Sequence, residues 1–440
     1  MNPLRGRLYS SLAYLCTTAK SNTMSTTATA QGSLPRLQGV IFDMDGTLTV
    51  PNLDFKEMYG RCNVPMDQDI LKAISEMSPS DAAKANTVIE EMEEEGRRTL
   101  ELAPGAVELG KWLNAHKIPM SLVTRNTKRT VDVMMEKLWF PHVQTKFEPS
   151  LSRDDCGDLP AKPHPASIFE IQRQWGFLET EKVGKDTTAS RPEPGLLMVG
   201  DSPKHDVEFG KAAGVSTALV DTGRRLSQGL KDDDVSGADI YVTNLVQLPR
   251  KLWNQFEIIS PLGHNSPLLK YDKPEPSTPA CIAAVAGDLE TLLKMSKDEL
   301  CVTDESGNTP LIWAANADQI DVVKFLLQSQ HYEEKDVNVR GYLGATALCR
   351  ASRLGNVEVL KHLIDAGKAD MNIPNDKMQY PLHFAAFKKK TEAVNVLLER
   401  GVNTLVFDRK GRTPAEDTSD MNIRDIILEA RAKIYGDSLV

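Results

Sequence analysis

Two short acidic segments carry the residues best suited to chemistry. The first is Asp43-Met44-Asp45-Gly46-Thr47. In an extended chain residues i and i+2 share a side, so Asp43 and Asp45 point into one site. Gly46 then lets the chain turn sharply and lets backbone approach a ligand. The second segment is Gly200-Asp201-Ser202-Pro203-Lys204-His205-Asp206. Ser202 suits a helix N-cap and Pro203 the first helical position, which puts Asp201 in a strand-to-helix turn and Asp206 in the first helical turn. Carboxylates gathered in this way are hard oxygen ligands that suit magnesium, which in turn holds phosphate oxygens.

The acids converge only if the surrounding elements bring them together, and the flanking pattern supplies such a frame. From Leu37 to about Val242 short apolar strands alternate with amphipathic helices, the sign of a Rossmannoid α/β unit with a parallel sheet. Strands are expected at Gly39–Phe42, Ile118–Val123, Leu196–Val199 and Ser216–Val220, with Ile240–Val242 as an edge. Helices are expected at Ala106–His116, Lys128–Leu138, Ala166–Trp175 and Lys204–Ala213. In such sheets ligands bind at the carboxyl ends of the strands, where both acidic segments fall. Residues 51–103 show helical periodicity and no strand signal. Within them the run Glu90–Glu95 reads as a solvated helix face. Glu179–Pro194 reads as a surface loop, and 256–276 as a linker.

Over roughly Leu37–Val242 the chain resembles the haloacid-dehalogenase superfamily of aspartate-nucleophile hydrolases. Four motifs stand in order: Asp43-Met44-Asp45-Gly46-Thr47, Thr124 after Ser121-Leu122-Val123, Lys162-Pro163, and Gly200-Asp201 through Asp206. The resemblance implies that Asp43 attacks phosphorus and that Asp45 serves as general acid and then base. It also implies a magnesium site made by Asp43, the Asp45 carbonyl, Asp201 and Asp206. Thr124 would hydrogen-bond the phosphoryl oxygens, and Lys162 would neutralise charge on them. Asp45 favours phosphomonoester hydrolysis, because an alkoxide needs a proton to leave. The substrate is then a small phosphorylated metabolite selected by the helical insertion at 51–103, which resembles the family's small cap. A phosphomutase of the small-sugar type is the alternative, and a phospho-ligand scaffold without activity is another. Members often carry Asn directly after the motif-two Thr, whereas here the order is Thr124-Arg125-Asn126. Arg125 suits either a fork onto a substrate anion or a surface ion pair. Arg125, Asn126 and Gly46 are the expected substrate-binding residues.

A second pattern begins near Ser277. The positions 278, 309, 346, 380 and 413 recur at intervals of 31, 37, 34 and 33 residues, mostly as Thr-Pro-Leu-like starts followed by a second helix. This resembles ankyrin repeats over about 277–430, an all-α solenoid whose usual role is to hold a protein partner. Thr309 and His383 are expected to be structural there.

Composition bounds the rest. The 440 residues are 41% hydrophobic and 26% charged, ordinary for a folded chain. A net charge of −9 argues against bulk affinity for nucleic acid, and no apolar run is long enough to span a membrane. The 6 cysteines form no Cys-x-x-Cys pair, so neither a disulfide framework nor a zinc site is expected. Residues 1–36 hold no acid, and Leu4, Leu8, Leu12 and Leu15 share one helical face, with Arg5 and Arg7 off it. That composition suits a transit peptide, mitochondrial before plastid, with a cytoplasmic form if translation starts at Met24. The hydrolase-like unit is then expected over 37–255.

Overall fold

The computed structural model describes residues 34–439 apart from 69, 156–158, 178–194, 223–236, 260–273 and 329–333. The leader to Ser33, the loop Glu179–Pro194 and most of the linker lie outside the described residues.

Six parallel strands form one sheet: β1 (Gly39–Phe42), β2 (Met120–Val123), β3 (Ser150–Leu151), β4 (Leu196–Gly200), β5 (Ser216–Val220) and β6 (Ile240–Val242). Their spatial order is β3-β2-β1-β4-β5-β6. Every residue of β1, β2 and β4 is buried, as expected of strands covered by helices on both faces. β1 lies between β2 and β4, so the chain leaves it in one direction and returns on its other side. That reversal opens a crevice at the carboxyl ends. Phe42 pairs with Val199, so Asp43 and Asp201 leave neighbouring strands at almost the same height. β3 was not anticipated, since two residues give no readable alternation.

Between β1 and β2 stand three helices, α1 (Phe55–Arg61), α2 (Ile70–Ser75) and α3 (Pro79–Arg98), around a small core of their own with Met58, Cys62, Ile74 and Ile89. They return through Glu101–Ala103 to α4 (Ala106–Ala115), which packs on the sheet. The acidic run on α3 is only partly solvated. Glu93 has 12% of its side chain exposed and pairs with Arg153 at 3.2 Å, and Glu94 meets Arg129 at 3.1 Å. The run therefore ties the insertion to the sheet domain.

Two expected helices are not regular. Lys128–Val133 is α-helical, but Met134–Trp139 is a widened π-type turn, in which residues five apart share a face. Met134 and Trp139 are both buried as a result. Pro203–Val207 is widened in the same way before Glu208–Ala212, with Ser202 O accepting from both Asp206 N and Val207 N.

From Pro279 onward the described residues form paired helices. Thr278, Thr309 and Thr346 each accept from the backbone N–H three residues on at 3.2 Å, which caps the first helix of the repeat. His383 is fully buried, with Nε2 2.9 Å from the Arg412 carbonyl, a structural place as expected. The repeats do not stand apart from the sheet domain. Met378, Leu405 and Phe407 belong to the same apolar cluster as Leu109, Trp112 and Leu113 of α4. Trp112 Nε1 donates to the Asp408 carbonyl at 3.0 Å, and Asn403 Nδ2 donates to Glu108 at 2.6 Å. No described helix is long and apolar enough to cross a membrane.

Candidate active site

The loop after β1 is wound on one carbonyl. Met44 O accepts from Thr47 N, Leu48 N and Thr49 N, and Gly46 takes φ +75°. A Cβ on Gly46 would collide with the Asp201 carboxylate, so glycine here serves close approach of the two acidic loops as well as the turn. At Gly200 a Cβ would strike Asp206 in the same manner.

Asp43, Asp201 and Asp206 bring one carboxylate oxygen each within 4.8 Å of one another. Lys162 lies among them, its Nζ 2.7 Å from Asp43 Oδ1 and 2.9 Å from Asp206 Oδ1. Only 3% of the Lys162 side chain is exposed. Asp206 is fixed further by the Ser202 N–H at 3.0 Å. Burial pushes the Asp43 carboxyl up to about 8; Lys162 opposes this, while Asp206 and Asp45 add to it. For Lys162 burial works to lower the pKa, but Asp206 and Asp43 outweigh it and the ammonium is held above its usual range. Asp43, Asp201 and Asp206 thus set three carboxyl groups round the one ammonium of Lys162, and burial with the like charges of Asp206 and Asp45 holds Asp43 toward its neutral form. A divalent metal with a preference for oxygen fits that donor set.

Asp45 stands beside this cluster with its two oxygens differently occupied. Asn126 Nδ2 donates to Oδ2 at 2.6 Å and Thr49 Oγ1 donates to Oδ1 at 3.3 Å. Burial raises its pKa, opposed by those two hydrogen bonds. Thr124 is buried at the end of β2, and its Oγ1 accepts from Asn126 N at 3.1 Å. Arg125 is half-buried, and its charge, after burial itself, holds His205 below its ordinary pKa.

All the residues singled out from the sequence thus come to one end of the sheet, but Asn126 turns its amide onto Asp45. Thr49 was missed as a partner of Asp45; its place four residues on, inside the same turn, was the available signal. Arg97 was missed as well. Its side chain is 6% exposed, donates to Thr130 at 3.3 Å and lines, with Asp45, Asn52 and Glu93, a narrow cleft under α3.

A parallel sheet that presents acidic loops from adjacent strands beside a helical insertion defines a Rossmann-like α/β domain with a metal-competent carboxylate centre. The family model described as haloacid dehalogenase-like hydrolase matches residues 49–220, beginning just past Asp43 and Asp45. A haloacid dehalogenase-like hydrolase domain-containing protein of Arabidopsis thaliana is 34% identical over 237 residues, 51% of this chain and 86% of that one. An uncharacterized hydrolase of Saccharomyces cerevisiae is 26% identical over 190 residues, 42% of this chain and 78% of that one. Ankyrin-repeat models match 254–341, 329–408 and 348–427. The neurogenic locus notch homolog protein 1 of Mus musculus is 35% identical over 123 residues, 28% of this chain and 5% of that one. The chain belongs to the haloacid dehalogenase-like hydrolases and carries ankyrin repeats after the hydrolase domain.

Proposed function

We propose that the protein hydrolyses small phosphomonoesters with magnesium, through a phosphoenzyme on Asp43. The observation that carries this is the pairing of Asp43 with Lys162 at 2.7 Å, beside a second carboxyl, Asp45, held by its own donors. An Asp43 oxygen bonds to phosphorus as the bond from phosphorus to the ester oxygen breaks. Asp45 gives its proton to the departing alkoxide. It then takes a proton from water, which attacks phosphorus, releases phosphate and restores Asp43. Lys162 neutralises the phosphoryl oxygens, and the Thr124 hydroxyl donates to them. Asn126 holds Asp45 in line, a positioning role in place of direct substrate contact. Arg125, beside His205 at the rim, receives an anionic group of the substrate. Magnesium would be held by Asp43, Asp201, Asp206 and the Asp45 carbonyl, and when bound it offsets charge on the phosphoryl oxygens.

The test is phosphate release from a panel of small phosphomonoesters by the full chain with magnesium chloride. Asp43→Asn should lose about a thousandfold or more in kcat. Turnover by Asp43→Asn equal to wild type would refute the assignment. The repeats serve, in this proposal, to dock the hydrolase on a protein partner. The leader directs it to the mitochondrion, which N-terminal sequencing of the mature protein tests: an intact Met1 would sink it.

A further inference from the structure

The first helices of the stacked repeats, Pro279–Ala286, Pro310–Asn316, Ala347–Leu354 and Pro381–Phe387, pack side by side. Counting from the capping positions 278, 309, 346 and 380, the fourth residue on is Ile282, Trp313, Arg350 and Phe384, and the seventh is Val285, Asn316, Arg353 and Phe387. None of the eight is buried: Ile282 is 53% exposed, Phe387 50% and the others at least partly open. These residues form two rows on one face, apolar and aromatic at the ends and doubly basic in the middle.

The arginines are the unusual feature. Arg350 is half-buried, and its Nη2 donates to the Tyr342 carbonyl at 3.2 Å. Burial lowers its pKa, Arg353 lowers it further, and no carboxylate acts on it among the described residues. Neither arginine enters an ion pair among those residues, although the chain carries a net charge of −9. Asp417, in the matching place of the fifth repeat, is already occupied by Arg412 at 2.7 Å. Lys388 extends the positive charge and lies over the Phe387 ring at 5.2 Å. Two like charges, one of them partly desolvated, are unfavourable together unless an anion completes them. Flanking aromatic rings provide flat apolar contact area for side chains beside that anion.

We infer that this face binds an acidic segment of a partner protein, an Asp or Glu carboxylate on Arg350 and Arg353 with neighbouring apolar side chains against Trp313, Phe384 and Phe387. It rests on the docking role proposed for the repeats and gives that role its chemistry.

The test is selection of phage-displayed random dodecapeptides on the immobilised full chain. Enriched peptides should carry Asp or Glu beside Leu or an aromatic residue. A fluorescein-labelled synthetic copy should bind wild type and lose about ten-fold or more in affinity with Arg353→Glu, and likewise with Arg350→Gln. Arg353→Lys should retain most of it, and added sodium chloride should weaken binding to wild type. Unchanged melting temperature and phosphate release certify that each variant is folded. Peptides that bind Arg353→Glu as well as wild type would overturn the arginine site while leaving docking intact. A failure to enrich any peptide would overturn docking itself. Self-association that Arg353→Glu abolishes would replace the partner with a second copy of the chain.

Discussion

Replacing Trp112 probes the least expected feature, the union of the hydrolase domain with its repeats. Trp112 is 0% exposed, buried between the sheet-side core and the Leu405–Phe407 segment, and its indole N–H donates to the Asp408 carbonyl at 3.0 Å. Trp112→Ala removes a large fully buried ring and leaves that carbonyl without its indole donor. Large-to-small changes at such aromatic sites cost about 3–5 kcal/mol. Trp112→Phe keeps most of the ring and loses the donor, an expected cost of about 1–3 kcal/mol. Urea unfolding followed by far-ultraviolet dichroism and by a label on the repeats reads both. Wild type should show coincident transitions, and Trp112→Ala should separate them as well as lower the first midpoint. A loss below about 1 kcal/mol in Trp112→Ala, with transitions still coincident, would show that the interface adds little and refute the reasoning.

Asn126→Ala removes the 2.6 Å donor to Asp45, so the Asp45 pKa should rise and the pH profile of kcat/KM should move to higher pH; an unmoved profile counts against Asn126 as the positioning residue. Magnesium should raise the melting temperature of wild type, by an amount set by its saturation, and not that of Asp201→Ala. His383 is held down to about 4 by burial, against hydrogen bonding to the Arg412 carbonyl. A neutral buried imidazole contributes stability that is present above the unfolded pKa near 6.5 and lost as pH falls toward about 4, roughly 3 kcal/mol over that window. His383→Gln should flatten stability across the same pH range, as read by urea midpoints.

The parallel sheet was legible because β1, β2 and β4 read as apolar runs, broken only by Ser121, that end in chemically distinctive residues. Asp43, Asp45, Asp201 and Asp206 could be placed from spacing because strand ends share one edge of the sheet. Asn126 was legible as a neighbour of the site but not in its orientation, since a side-chain amide two residues past Thr124 can turn either way. The solvated reading of Glu90–Glu95 failed in part because Arg129 and Arg153 reach α3 from elements 30 or more residues away. Helical periodicity likewise showed that Trp112 is buried without showing against what. Its partner Asp408 lies 296 residues later, and no local pattern records such a distance.

That distant contact changes what the repeats can do. The insertion leaves and re-enters the hydrolase core through a pair of short segments, where Val50 N donates to Glu101 O at 2.9 Å and Ala103 N to Leu48 O at 2.8 Å. α4 starts immediately afterwards, and α4 is the helix held by Asp408 through Trp112 and by Asn403 through Glu108. His116, the residue after it, joins the same contact, with Nε2 3.0 Å from the Arg409 carbonyl. The repeats therefore grip the hydrolase at the root of the segment from which the insertion hangs. The repeats are packed into the hydrolase's own frame, through α4 and the shared apolar cluster.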